Sequence, residues 1–275
     1  MLFAQNAGEI ICRGNNNSGQ CNAPDGLFTQ VAAGGFHSVG LRDDGSIECW
    51  GGNSSGQCNA PSGVFTQVSA GYDFSVGLKE NGIIACWGDN SYGQCDAPEG
   101  VFIQVAAGKH HALAIRADGT MEGWGSNFYG ESDPVTGIFQ QVQAGWEYSL
   151  GLRENGGIVC WGFGGFQQCE TPGTLLTQVS AGSFHCLGIE QDSTVTCWGE
   201  YFFGECEVPN TLFRQVSAGD NFSIGLNGDS TVSGWGKNDY GQCNVPNGEF
   251  IQVAAGGSHS IFLSRIACIS DCDSD

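Results

Sequence analysis

Short runs of alternating apolar and polar residues, broken by turn residues, fill this chain, and the stretch from Phe28 to Pro61 shows their order. Phe28-Thr29-Gln30 leads into Val31-Ala32-Ala33-Gly34, which predicts a first strand. His37-Ser38-Val39-Gly40-Leu41-Arg42 alternates and predicts a second. Ser46-Ile47-Glu48-Cys49-Trp50 predicts a third, and Gln57-Cys58-Asn59-Ala60 a short fourth stopped by Pro61. Asp43-Asp44-Gly45 joins the second to the third, with counterparts at Glu80-Asn81-Gly82 and Ala117-Asp118-Gly119. Asp-Gly and Asn-Gly between apolar runs signal a hairpin, because both turn residues tolerate positive φ. No segment carries a capped 3.6-residue period, so no helix is expected.

The pattern repeats without insertion or deletion. Trp50 recurs as Trp87, Trp124, Trp161, Trp198 and Trp235, each 37 residues after the last. One step back from Trp50 falls on Arg13, inside a recognisable copy that begins at Cys12. The Ala-Gly pairs ending at Gly34, Gly71, Gly108, Gly145, Gly182, Gly219 and Gly256 keep the same step. A fixed period of this size means a solenoid, a propeller or an array. Four short strands in each of seven copies predict an all-β, seven-bladed β-propeller of four-stranded antiparallel blades. An open solenoid would need distinct capping repeats. Here the N-terminus supplies the last half of a repeat and the C-terminus the first half. We therefore expect one domain over 1–263, its ring closed by a blade built from 1–24 and 249–263. An acidic, cysteine-containing tail follows over 264–275.

Composition narrows the partners. The chain has 9 basic against 29 acidic residues, a formal charge of −20. Such a field repels phosphate backbones, so nucleic acid is not an expected partner. No apolar run approaches the ~20 residues of a membrane helix, so no membrane insertion is expected.

The 14 cysteines point to an oxidising compartment, extracellular or at the cell surface. In five copies the residue before the Trp position and the residue eight after it are both cysteine: Cys12/Cys21, Cys49/Cys58, Cys86/Cys95, Cys160/Cys169 and Cys197/Cys206. In the copy containing Trp124 both are lost together, as Gly123 and Ser132, which is how a bonded pair behaves, whereas Cys243 has Gly234 where its partner should be. The two positions are expected on the third and fourth strands of one hairpin, within disulfide reach. The spacing is not that of a zinc site, and no metal or cofactor is expected. Cys186, Cys243, Cys268 and Cys272 stay unassigned; the two tail cysteines could pair with each other or with Cys243.

Variation between copies falls in two loops that a meander places on one face. The first reads Gly35-Phe36, Tyr72-Asp73, Lys109-His110, Trp146-Glu147, Ser183-Phe184, Asp220-Asn221 and Gly257-Ser258. The second carries Tyr92, Phe128, Tyr129, Phe163, Phe166, Tyr201, Phe202, Phe203 and Tyr240. Loops carried on a rigid scaffold are where recognition resides. Aromatic residues beside acids suit a protein interface or a sugar-stacking site. The candidate binding residues are therefore Tyr72, Trp146 and Glu147 of the first loop with those nine of the second. The aromatic residues from Phe128 to Phe203 are expected to form one sector. His37, His111, His185 and His259 share a position with Phe74, Tyr148 and Phe222, which argues for packing or a backbone hydrogen bond rather than metal ligation. Asn16, Asn53 and Asn221 open Asn-x-Ser sequons. No nucleophile sits in a repeating constellation with histidine and acid, and no phosphate loop occurs, so no enzyme is expected.

Trp50-Gly51, Asn53, Gly56-Gln57, Gly71, Ser75 and Leu78, with His37-Ser38 and Leu41, resemble the repeat of the regulator of chromosome condensation family. The resemblance runs to about Leu263 and implies a seven-bladed propeller. Its members include exchange factors, inhibitors and receptor ectodomains, so fold alone does not fix function. The short cysteine-bearing repeats are similar to secreted propeller inhibitors of β-lactamases and to plant crinkly-type receptor ectodomains. The expected function is a secreted, non-catalytic module that binds a protein or glycan through its aromatic loop face. An enzyme inhibitor and a self-associating extracellular structural protein are the alternatives.

Overall fold

The computed structural model describes residues 7–266. Cys268 and Cys272, and whatever they pair with, lie outside these residues. Among the described residues, twenty-one strands form seven separate three-stranded antiparallel sheets, the blades. The first complete blade is β2 (Gln30–Ala33), β3 (His37–Leu41) and β4 (Ile47–Gly51), paired in that order. Strands β5–β19 repeat this arrangement five times between Phe65 and Gly236. The last blade joins the two ends of the chain. Strand β1 (Ile10–Gly14) pairs antiparallel with β21 (His259–Ser264), which pairs with β20 (Phe250–Ala255).

Each blade has three strands, not the expected four. The segment after β4 spends its backbone hydrogen bonds locally. Cys58 donates its amide to the Asn53 side chain at 2.9 Å, and Ser55 donates to the Gln57 side chain at 2.9 Å. Asn59 donates to the Gly56 carbonyl at 2.9 Å, and Pro61 has no N–H to offer. Side chains that satisfy nearby amides compete with a ladder, and here they win. The hairpin after β3 also differs from expectation. Gly45 has φ +78°, but Asp44 is not among the positive-φ residues. The turn therefore needs a left-handed residue only at its third position. Asp44 accepts from the Ser46 amide at 2.8 Å instead.

The core lies between blades rather than inside any one of them. Phe74, Val76 and Leu78 of one blade pack on Phe102 and Val105 of the next, and six comparable clusters complete the set. The middle strands are buried except for a half-buried last residue in most of them, and β3 is buried throughout. Gly40 is glycine because a Cβ there would sit 2.6 Å from the Phe28 ring. Ridges of this kind explain why the alternation in the second strand breaks at glycine.

Two polar devices fasten blade to blade. In the first, Gln30 accepts the Val68 amide at 2.9 Å and donates to the Val68 carbonyl at 3.3 Å. Its amide thus imitates one rung of a β-ladder. Gln67, Gln104, Gln141 and Gln215 clasp Val105, Val142, Val179 and Val253 in the same two-bonded way. In the second, the shared histidine position reaches the next blade. His37, His111 and His185 meet Ser75, Ser149 and Ser223 at 2.8–2.9 Å through Nε2, and His259 meets Ser38 at 2.9 Å. The histidines are therefore structural, but their partner is a serine hydroxyl of the neighbouring blade rather than backbone.

All five cysteine pairs read from the spacing are bonded: Cys12–Cys21, Cys49–Cys58, Cys86–Cys95, Cys160–Cys169 and Cys197–Cys206, with Cα atoms 5.0–5.4 Å apart. The placement of their second members differs from expectation. Cys21, Cys58, Cys95, Cys169 and Cys206 lie in turns, not on a fourth strand. In three copies the same side-chain capture is seen: Asn16 and Asn90 accept the Cys21 and Cys95 amides at 2.8 Å, as Asn53 accepts that of Cys58; the Cys169 and Cys206 copies carry Gly164 and Tyr201 there and form the same turn. Each disulfide therefore ties a local turn back to the outer strand, where a fourth strand would otherwise have covered the blade edge.

Candidate functional site

The inner strands surround a central cavity of about 240 Å³. At one mouth, each blade contributes the residue after its Ala-Gly pair: Gly35, Tyr72, Lys109, Trp146, Ser183, Asp220 and Gly257 all line the cavity. The loops after the outer strands come to the same face. Gly52 donates its amide to the Phe36 carbonyl at 2.8 Å, and Phe163 to the Glu147 carbonyl at 2.8 Å. These bonds recur around the ring and fix the two variable loops side by side.

Most aromatic residues of that face are joined, edge to face or tilted, into one network. Trp146 meets Tyr72 with ring centres 6.1 Å apart and Phe184 at 5.1 Å. Phe184 meets Phe166 at 4.6 Å, Phe166 meets Phe163 at 5.7 Å, and Phe163 meets Tyr129 at 4.9 Å. From Tyr72 the network also reaches Phe36 at 5.3 Å, and through His110 it reaches Tyr92 and Phe128. Centroid separations of 4.5–7 Å with tilted planes are favourable aromatic geometry. The inner rings, Tyr72, Trp146 and Phe163, are half-buried, whereas Phe128 at the border is 77% exposed.

Seven of the twelve candidate residues therefore meet in one patch: Tyr72, Tyr92, Phe128, Tyr129, Trp146, Phe163 and Phe166. Glu147 lies beside them on the Trp146 loop. Tyr201, Phe202, Phe203 and Tyr240 do not enter the network among the described residues, although Phe202 is 81% exposed. The expected single sector ending at Phe203 is thus displaced, running from Phe36 to Phe184. Phe36, His110 and Phe184 belong to it and were not singled out from sequence. Their signal was present, since they occupy the same loop position as Asp73 and Glu147.

The disulfides stand behind this face as supports for its second loops. Cys86–Cys95 closes the segment that carries Tyr92, and Cys160–Cys169 the one that carries Phe163 and Phe166. Cys197–Cys206 closes the segment of Tyr201, Phe202 and Phe203 in the same way.

Charge at the mouth is arranged around Trp146. The Lys109 ammonium lies 4.2 Å above its ring, a cation–π contact. Asp220 accepts from the Ser183 hydroxyl at 2.8 Å. Dense packing around that carboxyl nevertheless raises its pKa to about 6, outweighing Ser183, Trp146, Lys109 and Lys237. Burial also raises Asp73, assisted by Asp89, and raises the Tyr72 hydroxyl, assisted by Asp220 and Asp73. Among the described residues no group of three or more His, Cys, Asp or Glu could hold a metal ion, and no helix could cross a membrane. The sequons have a local use: Asn16 donates to Asn22 at 2.8 Å and accepts the Cys21 amide at 2.8 Å, shaping its own turn.

Seven sheets about a central cavity, fastened blade to blade and displaying variable loops at one mouth, define a β-propeller. The regulator of chromosome condensation (RCC1) repeat matches residues 28–57, 65–94, 102–131, 139–168, 176–204 and 213–242, and the chain belongs to that family. No match emerges among functionally described proteins compared by sequence. Among solved structures, Prp20p from Saccharomyces cerevisiae superposes with a TM-score of 0.83 at 16% identity, over 95% of this chain and 92% of that one. The ectodomain of the Physcomitrella patens receptor kinase CR4 is similar at TM-score 0.71 and 25% identity, over 82% of this chain and 67% of that one. The CRINKLY WD40 ectodomain of the Arabidopsis thaliana receptor kinase ACR4 is similar at TM-score 0.70 and 23% identity, over 84% and 90%.

Proposed function

We propose that this chain is an extracellular, non-catalytic propeller that binds a protein partner through the aromatic loop face. The observation that carries the reading is the continuous ring network from Phe36 to Phe184, presented on loops whose framework is fixed. Rigid aromatic anchors surrounded by exposed rings are the composition of interface hot spots. A protein partner is favoured over a glycan because the rings already cover one another. Lys109 occupies a face of Trp146 and His110 packs on Tyr92, so few flat faces are free to stack on a sugar. Five disulfides favour an oxidising compartment. Prp20p, of similar fold, has binding properties towards Gsp1p and histones, so protein binding has a precedent on such a propeller.

The test is capture of extracellular proteins on immobilised wild type and on the Tyr92→Ala, Phe128→Ala, Phe166→Ala triple variant. A partner retained by wild type and lost by the folded variant supports the face. Equal retention by both, or retention of glycans alone, overturns it.

A further inference from the structure

The turn that closes each second loop is the same in all seven copies, yet two of its positions change chemistry together. In every copy the last turn residue donates its amide to the carbonyl three residues back, from Asn22 to Gly19 at 2.9 Å through Asn244 to Gly241 at 3.0 Å. Two copies place serine before that turn and asparagine at its end, Ser18 with Asn22 and Ser55 with Asn59. The four copies that follow place an aromatic ring before it and a carboxylate at its end: Tyr92 with Asp96, Tyr129 with Asp133, Phe166 with Glu170 and Phe203 with Glu207. The seventh is mixed, Tyr240 with Asn244.

The turn itself does not require the charge. Asn22, Asn59 and Asn244 accept from the side chains of Asn16, Asn53 and Asn238 at 2.8–3.0 Å, the bond that Asp96 and Asp133 accept from Asn90 and Asn127 at 2.9 and 2.7 Å. An amide oxygen fills the role as well, and the bond engages Oδ1 alone. The other oxygen lies against the glycine that directly follows the ring. A Cβ on Gly93 would lie 3.2 Å from Asp96 Oδ2, one on Gly130 3.0 Å from Asp133 Oδ2, and one on Gly204 3.4 Å from Glu207 Oε2. Asp96, Asp133, Glu170 and Glu207 are all exposed, and none joins an ion pair among the described residues. The rings are open too, since Tyr92, Tyr129, Phe166 and Phe203 are 38–52% exposed. Three of these four turns hold the second cysteine of a disulfide, Cys95, Cys169 or Cys206, so binding there has little left to order.

We infer that this arc of four turns receives an extended basic segment of the protein partner, a lysine or arginine at each ring–carboxylate pair. This rests on the proposed protein-binding face and names the chemistry of what that face grips. A lysine or arginine lays its methylene stem on an apolar surface and carries its charge beyond it. Each pair offers both surfaces within one turn. A stem needs only the exposed strip of a ring whose other parts pack on neighbours, as Phe166 packs on Phe163 and Phe184. The chain supplies its own example at the end of the arc, where the Lys237 ammonium lies 5.0 Å from the Phe203 ring. The net charge of −20 draws a basic segment from a distance, and the placement of the pairs selects where it settles.

The test uses acetylated, amidated peptides of about 16 residues, roughly 50 Å when extended, that alternate serine with arginine, glutamine or glutamate. Binding to the full chain is measured by calorimetry at physiological ionic strength, where exposed charges more than about 8 Å apart are largely screened. Saturable binding of the arginine peptide alone is expected. The quadruple variant Asp96→Asn, Asp133→Asn, Glu170→Gln, Glu207→Gln should weaken it at least about tenfold. Tyr92→Ser with Tyr129→Ser, which installs the residue type of Ser18 and Ser55, should weaken it at least about threefold. A second quadruple variant, Asp44→Asn, Asp118→Asn, Asp192→Asn, Asp229→Asn, removes the same charge from the hairpin turns at the other end of the blades. It should leave binding within about twofold, while thermal unfolding shows every variant folded. No binding of the arginine peptide, equal weakening by the two quadruple variants, or equally tight binding of the glutamine peptide overturns the inference. Its failure is separable from that of the face as a whole. A captured partner that is lost by the aromatic triple variant yet bound equally by the first quadruple variant removes the basic segment and leaves the face.

Discussion

Gln252 clasps Val31 across the junction between the last blade and the first, accepting its amide at 2.9 Å and donating to its carbonyl at 3.0 Å. The two residues are 221 apart in sequence, and the bond pair is the same one that Gln30 makes to Val68. The rung that links neighbouring blades therefore also links the two ends of the chain. Replacing Gln252 by the similarly shaped methionine would leave both Val31 groups unpaired on a half-buried wall. We expect Gln252→Met to lose about 2–4 kcal/mol, since each unsatisfied group carries its own desolvation penalty. Urea denaturation measures it. A midpoint equal to wild type would show that the clasp adds nothing to stability.

The buried histidines predict sensitivity to acid. Burial lowers His37 and His185 to about 3, and His111 and His259 to about 4, with His259 adding to the effect on His37. An unfolded histidine titrates near 6.5, so below that pH the unfolded chain takes up more protons than the folded one. Stability is thus fully present above about pH 6.5 and falls as pH drops towards 4, by up to about 3 kcal/mol per histidine. Asp220 has the opposite sign, because its raised pKa makes the folded state the better proton binder between its unfolded value and about 6. His185→Phe places the ring already present at Phe74 and Phe222, and should flatten the difference between unfolding free energies at pH 7 and pH 5. An unchanged difference would remove His185 from the account.

Cys186 takes the position held by Ser75, Ser149 and Ser223 in other blades, and its thiol donates to the Tyr148 hydroxyl oxygen at 3.2 Å. Burial pushes its pKa up to about 12, so almost no thiolate exists at neutral pH. Since the thiolate is the reactive species, iodoacetamide should leave Cys186 unmodified in the native protein and label it in denaturant. Peptide mass mapping reads this directly, and native labelling within minutes would contradict the burial.

The disulfides act on a segment that builds no ladder. Removing one through Cys49→Ser with Cys58→Ser should cost about 2–3 kcal/mol by loop entropy. The first two-bonded clasp, Gln30 to Val68, lies on the inner strands at the far side of the blade and should survive. Hydrogen exchange should therefore quicken at Ser55 and Cys58 while remaining slow at Val68. Faster exchange at all three amides would mean the staple holds the whole blade.

Much of the fold could be read directly from the chain. The 37-residue step, the alternation of the first three strands and the joint replacement of both cysteines by Gly123 and Ser132 lead to blades, their register and the cysteine pairing. The fourth strand misled because Gln57-Cys58-Asn59 has an acceptable strand composition. In this copy the Asn53 side chain takes the Cys58 amide instead of a neighbouring strand, and the Gly56 carbonyl takes that of Asn59. The glutamine clasp was visible as Gln-Val in all seven copies, but the partner of Gln30 lies 38 residues away on another blade. A lead-in residue and an inter-blade bond look alike in one dimension.

The site divides on the same line. Sequence alone determines that the loop residues vary while the framework does not, because a period with fixed glycines permits change only where no neighbouring blade is touched. It also sets the net charge and supplies the aromatic residues. Which of them meet is decided by the curvature of the ring. Tyr72 and Trp146 belong to blades two apart, yet the rim brings their rings within 6.1 Å, while consecutive Tyr201, Phe202 and Phe203 join no network among the described residues. Closing seven blades about an axis converts sequence separation into position around a mouth. Only the closed ring sets Gly257 against Gly35.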